Sequence, residues 1–231
     1  MYFPLVIWLS IYLPFADELK LMEADTNSVK TVLILGDSHL VGDFGDALHR
    51  EIHRLKKYHV ISVGIGGAGS YHFTGTMRTF CCGSVIRETC IFDSISDQTK
   101  IPITEKSDGP SNSLVGQFFK GKLENFLAHY EPEIVIVALG SNYTNAHEEL
   151  MKILRKDNIN REVIWVGPMR RANIEIRLYA IRQAMLKYPD IRFISSEDIV
   201  GHDTITSAHY SGKAAKYWAE KVVKKMDFFI H

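Results

Sequence analysis

The chain has 231 residues, 46% of them hydrophobic, and its 27 Lys and Arg residues balance 27 Asp and Glu residues. This length and apolar content are enough to bury a sizeable core in one domain of catalytic size. The zero net charge offers no basic patch or stripe of the kind that nucleic-acid backbones require, so no nucleic-acid partner is expected. No Walker-type or Rossmann glycine fingerprint precedes a helix, and no cofactor is predicted.

The N-terminal segment from Tyr2 to Ala16 is almost wholly apolar. Its length suits the apolar region of a secretory signal and is shorter than the about 20 residues that a membrane-spanning helix needs. No Lys or Arg precedes it, so an N-terminal strand or helix packed on the domain is the alternative. We favour an export signal over residues 1–16, then a polar lead-in over 17–30 and one domain over 31–231. The mature protein would be periplasmic or secreted, without a stable membrane span.

Apolar runs alternate with amphipathic segments along the rest of the chain. The predicted strands are 31–35, 59–63, 134–139, 163–166 and 191–194. The predicted helices are 42–56, 114–129, 146–156, 174–187 and 211–226. The stretch 68–113 is predicted as a long irregular insertion, a type of segment that often carries function. Apolar strands separated by helices favour a three-layer α/β/α sandwich around a five-stranded parallel sheet.

All three cysteines, Cys81, Cys82 and Cys90, lie within that insertion. In an exported protein one disulfide is expected, most simply between Cys90 and either Cys81 or Cys82, with one thiol left over. Two adjacent cysteines with a third eight residues on do not match the ligand spacing of a zinc site, so no metal is predicted.

Glycine-bearing turns follow the first three predicted strands. They are Gly36-Asp37-Ser38-His39, Gly64-Ile65-Gly66-Gly67 and Gly140-Ser141-Asn142. Because the carboxyl ends of parallel strands meet at one edge of a sheet, these turns can converge on one cleft. His209 lies in a loop between the last predicted strand and the last predicted helix, and that loop returns to the same edge.

These residues together suit acyl transfer. Ser38 is the expected nucleophile and His209 the base that takes its proton. The tetrahedral intermediate carries an oxyanion that needs donors fixed in advance. The backbone N–H groups of Ser38 and Gly67 and the side-chain amide of Asn142 are the natural donors.

Each choice has a plainer reading. His209 is one of ten histidines and can be a solvated loop residue. Asn142 can simply turn the chain after its strand. The glycine that serves as donor can also be Gly66 or Gly69, if the motif is matched to this sequence a residue or two away from Gly67.

Other polar and aromatic residues near the strand ends receive weaker expectations. His39 is left out of the site, because adjacent side chains on a turn usually diverge. Residues 71–73 either wall the cleft or pack locally. His147 and the pair Arg170-Arg171 are expected to form a solvated face, with contact to a polar or anionic substrate as the alternative.

The order of the four blocks resembles the SGNH (GDSL-type) hydrolase superfamily. The resemblance spans roughly residues 31 to 226 and depends on the short motifs around Ser38, Gly67, Asn142 and His209. It implies a flavodoxin-like sheet and a hydrolase acting on ester bonds. Members of the superfamily are esterases, lipases, thioesterases and carbohydrate acetylesterases.

Two positions depart from the family pattern. The family usually has Asp three residues before the histidine, where this chain has Thr206. Asp203, six residues before His209, is slightly favoured to orient the imidazole; the alternative is a Ser-His dyad whose ring is held by a backbone or Thr206 oxygen. Tyr143 stands where the family often has Asp after the Asn, which should affect the cleft wall more than the oxyanion donor.

The expected function is an exported serine esterase that removes small acyl groups, such as acetyl, from a carbohydrate or cell-wall polymer. One alternative is a lipase or thioesterase acting on longer acyl chains. Another is a non-catalytic glycan-binding protein on the same fold, which the missing Asp at position 206 favours.

Overall fold

The computed structural model describes residues 29–79, 81–169, 174–200 and 209–226. The predicted export signal and nearly all of the polar lead-in lie outside these residues. So do Asp203, Thr206 and the pair Arg170-Arg171. Among the helices of the described residues, none is long and apolar enough to cross a membrane.

Seven strands form one mixed sheet in the order β4-β3-β2-β1-β5-β6-β7. The strands are β1 Lys30–Gly36, β2 Tyr58–Ile65, β3 Ser84–Thr89, β4 Ile103–Ser107, β5 Ile134–Ala138, β6 Glu162–Val166 and β7 Arg192–Ile194. β1 pairs in parallel with β2 and β5, and β6 and β7 continue the parallel part. β3 and β4 are antiparallel.

The three-layer α/β/α architecture is confirmed, but the prediction of a purely parallel five-stranded sheet is wrong. The five predicted strands are present and parallel, and the insertion adds β3 and β4 beyond them. The strand β3 was not predicted because Arg87 and Glu88 interrupt its apolar pattern. Arg87 is nevertheless buried, and its guanidinium donates to the carbonyl oxygens of Leu40 at 2.7 Å and Val41 at 2.9 Å.

Helices cover both faces of the sheet. They are α1 Ser38–Val41, α2 Asp43–Arg54, α3 Leu123–Tyr130, α4 His147–Lys156, α5 Ile174–Met185, α6 Glu197–Val200 and α7 Gly212–Met226. One core, with α3, α4 and α5, includes Leu33 and Leu35 of β1, and the opposite core, with α2, α6 and α7, includes Val32 and Ile34. The strands read as continuous apolar runs because both of their faces are covered.

The predicted helix over 114–129 is wrong in its first half. Only Leu123–Tyr130 is α-helical, and a short 3₁₀ turn, Gln117–Phe119, precedes it. Gly116 and Gly121 have φ of 67° and 61°, and Lys120 also lies in the left-handed region at 55°. A Cβ at Gly116 would lie 2.6 Å from the Phe126 ring. Residues 114–122 therefore form turns that pack against α3 and do not lengthen the helix.

The expected pairing of Cys90 is also wrong. The disulfide joins the adjacent residues Cys81 and Cys82, and Cys90 is an exposed free thiol. The strand β3 lies between Cys82 and Cys90 and, at about 3.3 Å per residue, its two ends are roughly 17 Å apart. A disulfide requires Cα atoms within about 7 Å, so Cys90 is out of reach.

Candidate active site

The nucleophile turn begins where β1 ends. A Cβ at Gly36 would lie 2.8 Å from the Cβ of Leu40, so this position needs glycine for α1 to fold back closely. Asp37 caps α1, and its buried carboxylate accepts hydrogen bonds from the backbone N–H of His39 at 3.0 Å and from His39 Nδ1 at 2.9 Å. This turn presents Ser38 as the first residue of α1, half-buried at the carboxyl edge of the sheet.

His209 lies against Ser38 although 171 residues separate them. The His209 Nε2 atom is 2.7 Å from the Ser38 Oγ atom, within hydrogen-bond distance. The next residues are tied to the same region, because the Gly212 N–H at the start of α7 donates to the Asp43 carboxylate at 2.7 Å. A serine hydroxyl in this contact with an imidazole is arranged for removal of its proton.

His39 supports the His209 ring, a role that the sequence analysis did not assign to it. The buried His39 ring lies 4.9 Å, centroid to centroid, from that of His209. Its other neighbour is the edge-on ring of Trp218, which stacks on Phe44 at 3.8 Å. The sequence signal was Asp37, a helix cap that commonly accepts hydrogen bonds from residues just after it.

Asn142 joins the turn that carries Ser38 to the turn that carries Gly67. Its Nδ2 donates to the carbonyl oxygen of Ala68 at 2.9 Å and lies 3.4 Å from the Asp37 carboxylate. Both Nδ2 hydrogens thus have an acceptor in this structure, and the longer and weaker hydrogen bond, to Asp37, is the one that an oxyanion could replace.

The three glycines weighed for the second oxyanion donor differ in their backbone hydrogen bonds. The Gly66 N–H donates to the Gly83 carbonyl at 2.8 Å, and the Gly69 N–H donates to His72 Nδ1 at 3.0 Å. Gly67 has φ of 74°, and no acceptor among the described residues takes its N–H or that of Ser38. The geometry therefore favours Gly67 as the available donor.

Aromatic and polar side chains line a cleft next to Asn142. Its volume is about 330 Å³, and its walls are Asn142, Tyr143, Thr144, Asn145, Ile176 and Arg177. Tyr71 packs edge-on against Tyr143 at 5.2 Å, and its ring lies 3.8 Å from the tilted ring of His72, whereas Phe73 is buried in the core. Burial and a hydrogen bond to Tyr143 raise the pKa of Tyr71.

His147 belongs neither to a solvated face nor to the cleft surface, so both expectations for it are wrong. It is 3% exposed, and its Nδ1 lies 2.7 Å from the Oγ of the fully buried Ser70. Burial lowers the pKa of His147 to about 4, so the ring is neutral at pH 7. Its ring lies edge-on to Trp165 at 5.3 Å.

Several solved structures share the fold. A carbohydrate acetylesterase from Sinorhizobium meliloti matches with a TM-score of 0.52 and 14% identity, over 87% of this chain and 100% of the other. A Clostridium thermocellum family 3 carbohydrate esterase matches with a TM-score of 0.51 and 15% identity, over 86% and 96%. A lipase/acylhydrolase from Enterococcus faecalis matches with a TM-score of 0.50 and 12% identity, also over 86% and 96%.

The chain has the fold of the SGNH (GDSL-type) hydrolases. The fold that this resemblance implies is thus confirmed. No protein-family model matches the sequence, and no curated protein does. Within the described part of this SGNH-fold chain, no group of three or more His, Cys, Asp or Glu side chains could hold a metal ion.

The two buried histidines His49 and His147 predict a loss of stability in mild acid. Burial, with a smaller contribution from the Arg87 charge, lowers the pKa of His49 to about 3, and His147 titrates at about 4. An unfolded histidine titrates at about 6.5, so the unfolded state binds more protons between these values, and stability falls as pH drops below 6.5. Each histidine should cost about 2 kcal/mol at pH 5.

Urea unfolding at pH 7.5 and pH 5.0 measures this loss, in a window above the ordinary titration of carboxyl groups. The variants His49→Phe and His147→Phe should each reduce this loss of stability by about 2 kcal/mol. A free energy of unfolding that is the same at both pH values would contradict the assignment.

Proposed function

We propose that this chain is a serine esterase that hydrolyses carboxylic esters through an acyl-enzyme on Ser38. The observation that carries the proposal is the 2.7 Å contact between Ser38 Oγ and His209 Nε2. It lies beside two backbone N–H groups and one amide that are suited to an oxyanion. The esterases and the lipase that share the fold support the same reaction class.

The reaction follows from this geometry. Ser38 Oγ attacks the ester carbonyl while His209 Nε2 takes its proton. The carbonyl oxygen becomes an oxyanion that accepts hydrogen bonds from the N–H groups of Ser38 and Gly67 and from Asn142 Nδ2. When the intermediate collapses, His209 returns the proton to the leaving alcohol. A water molecule then attacks the acyl-enzyme by the same route and releases the acid and Ser38.

Asp203 is our candidate for orienting the His209 imidazole. The support is its position in the sequence, six residues before His209 and within the same connection to α7. A carboxylate that accepts from the second ring nitrogen would hold the tautomer that accepts the serine proton, and would stabilise the imidazolium. Without it the site would work as a Ser-His dyad.

The proposed substrate is a small acyl ester, such as an acetyl ester, of a carbohydrate. Tyr143 and polar groups line the cleft beside Asn142, a surface suited to the hydroxyls and ring faces of a sugar. Two proteins that share the fold are named as carbohydrate esterases. The apolar segment Tyr2–Ala16 supports export toward an extracellular or cell-wall polymer.

A lipase or thioesterase acting on longer chains is the second candidate. Ile176 lines the same cleft and is 62% exposed, so it offers apolar surface to an acyl chain. A groove that buries the chain should favour longer esters by up to about 0.8 kcal/mol per CH₂.

The first test is hydrolysis of p-nitrophenyl esters by the wild type, Ser38→Ala and Asn142→Ala. Ser38→Ala should lose turnover, and Asn142→Ala should lower kcat by about 100- to 1000-fold because an oxyanion donor is removed. The matched control is Asn125→Ala, since the Asn125 amide donates to the Phe119 carbonyl and lies on α3, away from the site. Full activity in Ser38→Ala would refute the proposal.

The same assay ranks the substrates. The acetate ester should exceed the octanoate ester in kcat/KM, and O-acetylated glycans should release acetate. A steady rise of kcat/KM with chain length would favour the lipase or thioesterase. Glycan binding that survives Ser38→Ala, with no turnover by the wild type, would mean a binding protein instead.

Asp203→Asn separates a triad from a dyad. If Asp203 orients His209, kcat should fall by about 100-fold or more, because the imidazole loses its tautomer control. Asp198→Asn is the control, since the Asp198 carboxylate is exposed on α6, with the Lys225 ammonium as its ion-pair partner at 3.8 Å. If Asp203→Asn has the same kcat as the Asp198→Asn control, Asp203 does not orient His209 and the site works as a Ser-His dyad.

A further inference from the structure

A buried serine–histidine pair connects the two loops that supply the Gly67 and Asn142 donors. We define the Gly67 loop as residues 66–72 and the Asn142 loop as residues 139–147. The Oγ of Ser70, in the first loop, lies 2.7 Å from Nδ1 of His147, the last residue of the second. Neither side chain is exposed by more than 3%.

Three successive residues of the Gly67 loop contact the Asn142 loop. The carbonyl of Ala68 accepts from Asn142 Nδ2 at 2.9 Å. Gly69 packs so closely on Tyr143 that a Cβ there would lie 2.8 Å from the ring. Ser70 then bonds to His147. The two loops therefore meet at consecutive positions, and the Ser70–His147 bond closes the buried end of the contact.

The sheet fixes both ends of the Asn142 loop. Trp165, on β6, donates from its indole N–H to the Leu139 carbonyl at 3.1 Å, and the edge of the His147 ring packs on the same indole. Between these ends, Gly140 and Ala146 have φ of 117° and 61°, in the region of positive φ. Glycine adopts such a backbone freely, but Ala146 does so only where its surroundings hold it, and the buried His147 next to it is one of the residues that do so.

From these contacts we infer that the Ser70–His147 hydrogen bond is a positioning device of the oxyanion hole. It sets the separation between the Gly67 N–H and the Asn142 amide so that both can reach one oxygen. The inference rests on the proposed esterase function. Oxyanion donors act through fixed placement, and an error of 1 Å can cost about 100-fold in rate. His147 is a positioning residue because it touches no reacting atom.

The chain contains a matched control for this pair. His49 Nδ1 lies 2.6 Å from the Oγ of Ser62, and both residues are fully buried. The pair lies between α2 and β2, and His49 Nε2 contacts the Thr89 hydroxyl at 3.0 Å. It has the same chemistry and burial as the Ser70–His147 pair but contacts neither oxyanion loop. Its loss should affect stability alone.

The experiment compares Ser70→Ala with Ser62→Ala, and His147→Phe with His147→Asn. Ser70→Ala and His147→Phe should lower kcat for p-nitrophenyl acetate by about tenfold with KM within about twofold, because donor placement acts on the transition state. His147→Asn puts an amide near the position of Nδ1 and should recover kcat to within about threefold of the wild type. Ser62→Ala should lower the Tm and keep the wild-type kcat.

Nuclear magnetic resonance gives a readout that does not depend on activity. In ¹⁵N-labelled protein, the Gly67 amide and Asn142 side-chain amide signals should shift or broaden in Ser70→Ala and stay in place in Ser62→Ala. The inference is overturned if Ser70→Ala keeps the wild-type kcat and both signals. It is equally overturned if the two serine variants lose kcat in the same proportion. Should the wild type hydrolyse no ester while the signals move as expected, the proposed function fails and the positioning role stands.

Discussion

The parallel register of three strands sets the geometry on which the rest of the site depends. Gly36 at the end of β1 lies opposite Gly64 of β2 on one side and Ala138 of β5 on the other. The turns that follow therefore leave the sheet at the same level, and the residues that they carry converge without any long loop. A shift of one residue in either pairing would move a donor by about 3.3 Å and also reverse which face each side chain occupies.

His209, the fourth residue of the site, reaches this edge of the sheet from the C-terminal part of the chain. Its support consists of Asp37, His39 and Trp218, together with the Asp43 carboxylate, which accepts from the Gly212 N–H at the start of α7. Each interaction is modest: an aromatic pair contributes about 0.5–1.5 kcal/mol and a helix cap about 1 kcal/mol. Together they place the exposed imidazole of His209 against the half-buried Ser38. The contact between these two side chains at the surface is therefore stabilised by buried side chains beneath it.

The sequence was most informative where one local signal determines the structure. Continuous apolar runs ending in glycine predicted the parallel strands, and the order of the four blocks predicted the SGNH fold. Polar residues with distant partners were harder to place. Arg87 looks like a break in a strand until the carbonyls of α1 that accept from it are known, and His147 looks solvated until Ser70 is brought to it. Lys120 carries no sequence signal for its left-handed backbone, so the segment before α3 was predicted as helix.

The central claim is that Ser38, Gly67 and Asn142 stabilise one oxyanion. A crystal structure of the enzyme after reaction with a p-nitrophenyl phosphonate tests it most directly, because the phosphonyl oxygen mimics that oxyanion. The account predicts a bond from phosphorus to Ser38 Oγ, with that oxygen within about 3.1 Å of the Ser38 and Gly67 nitrogens and of Asn142 Nδ2. An adduct on another side chain, or an oxygen that faces away from these donors, would contradict it.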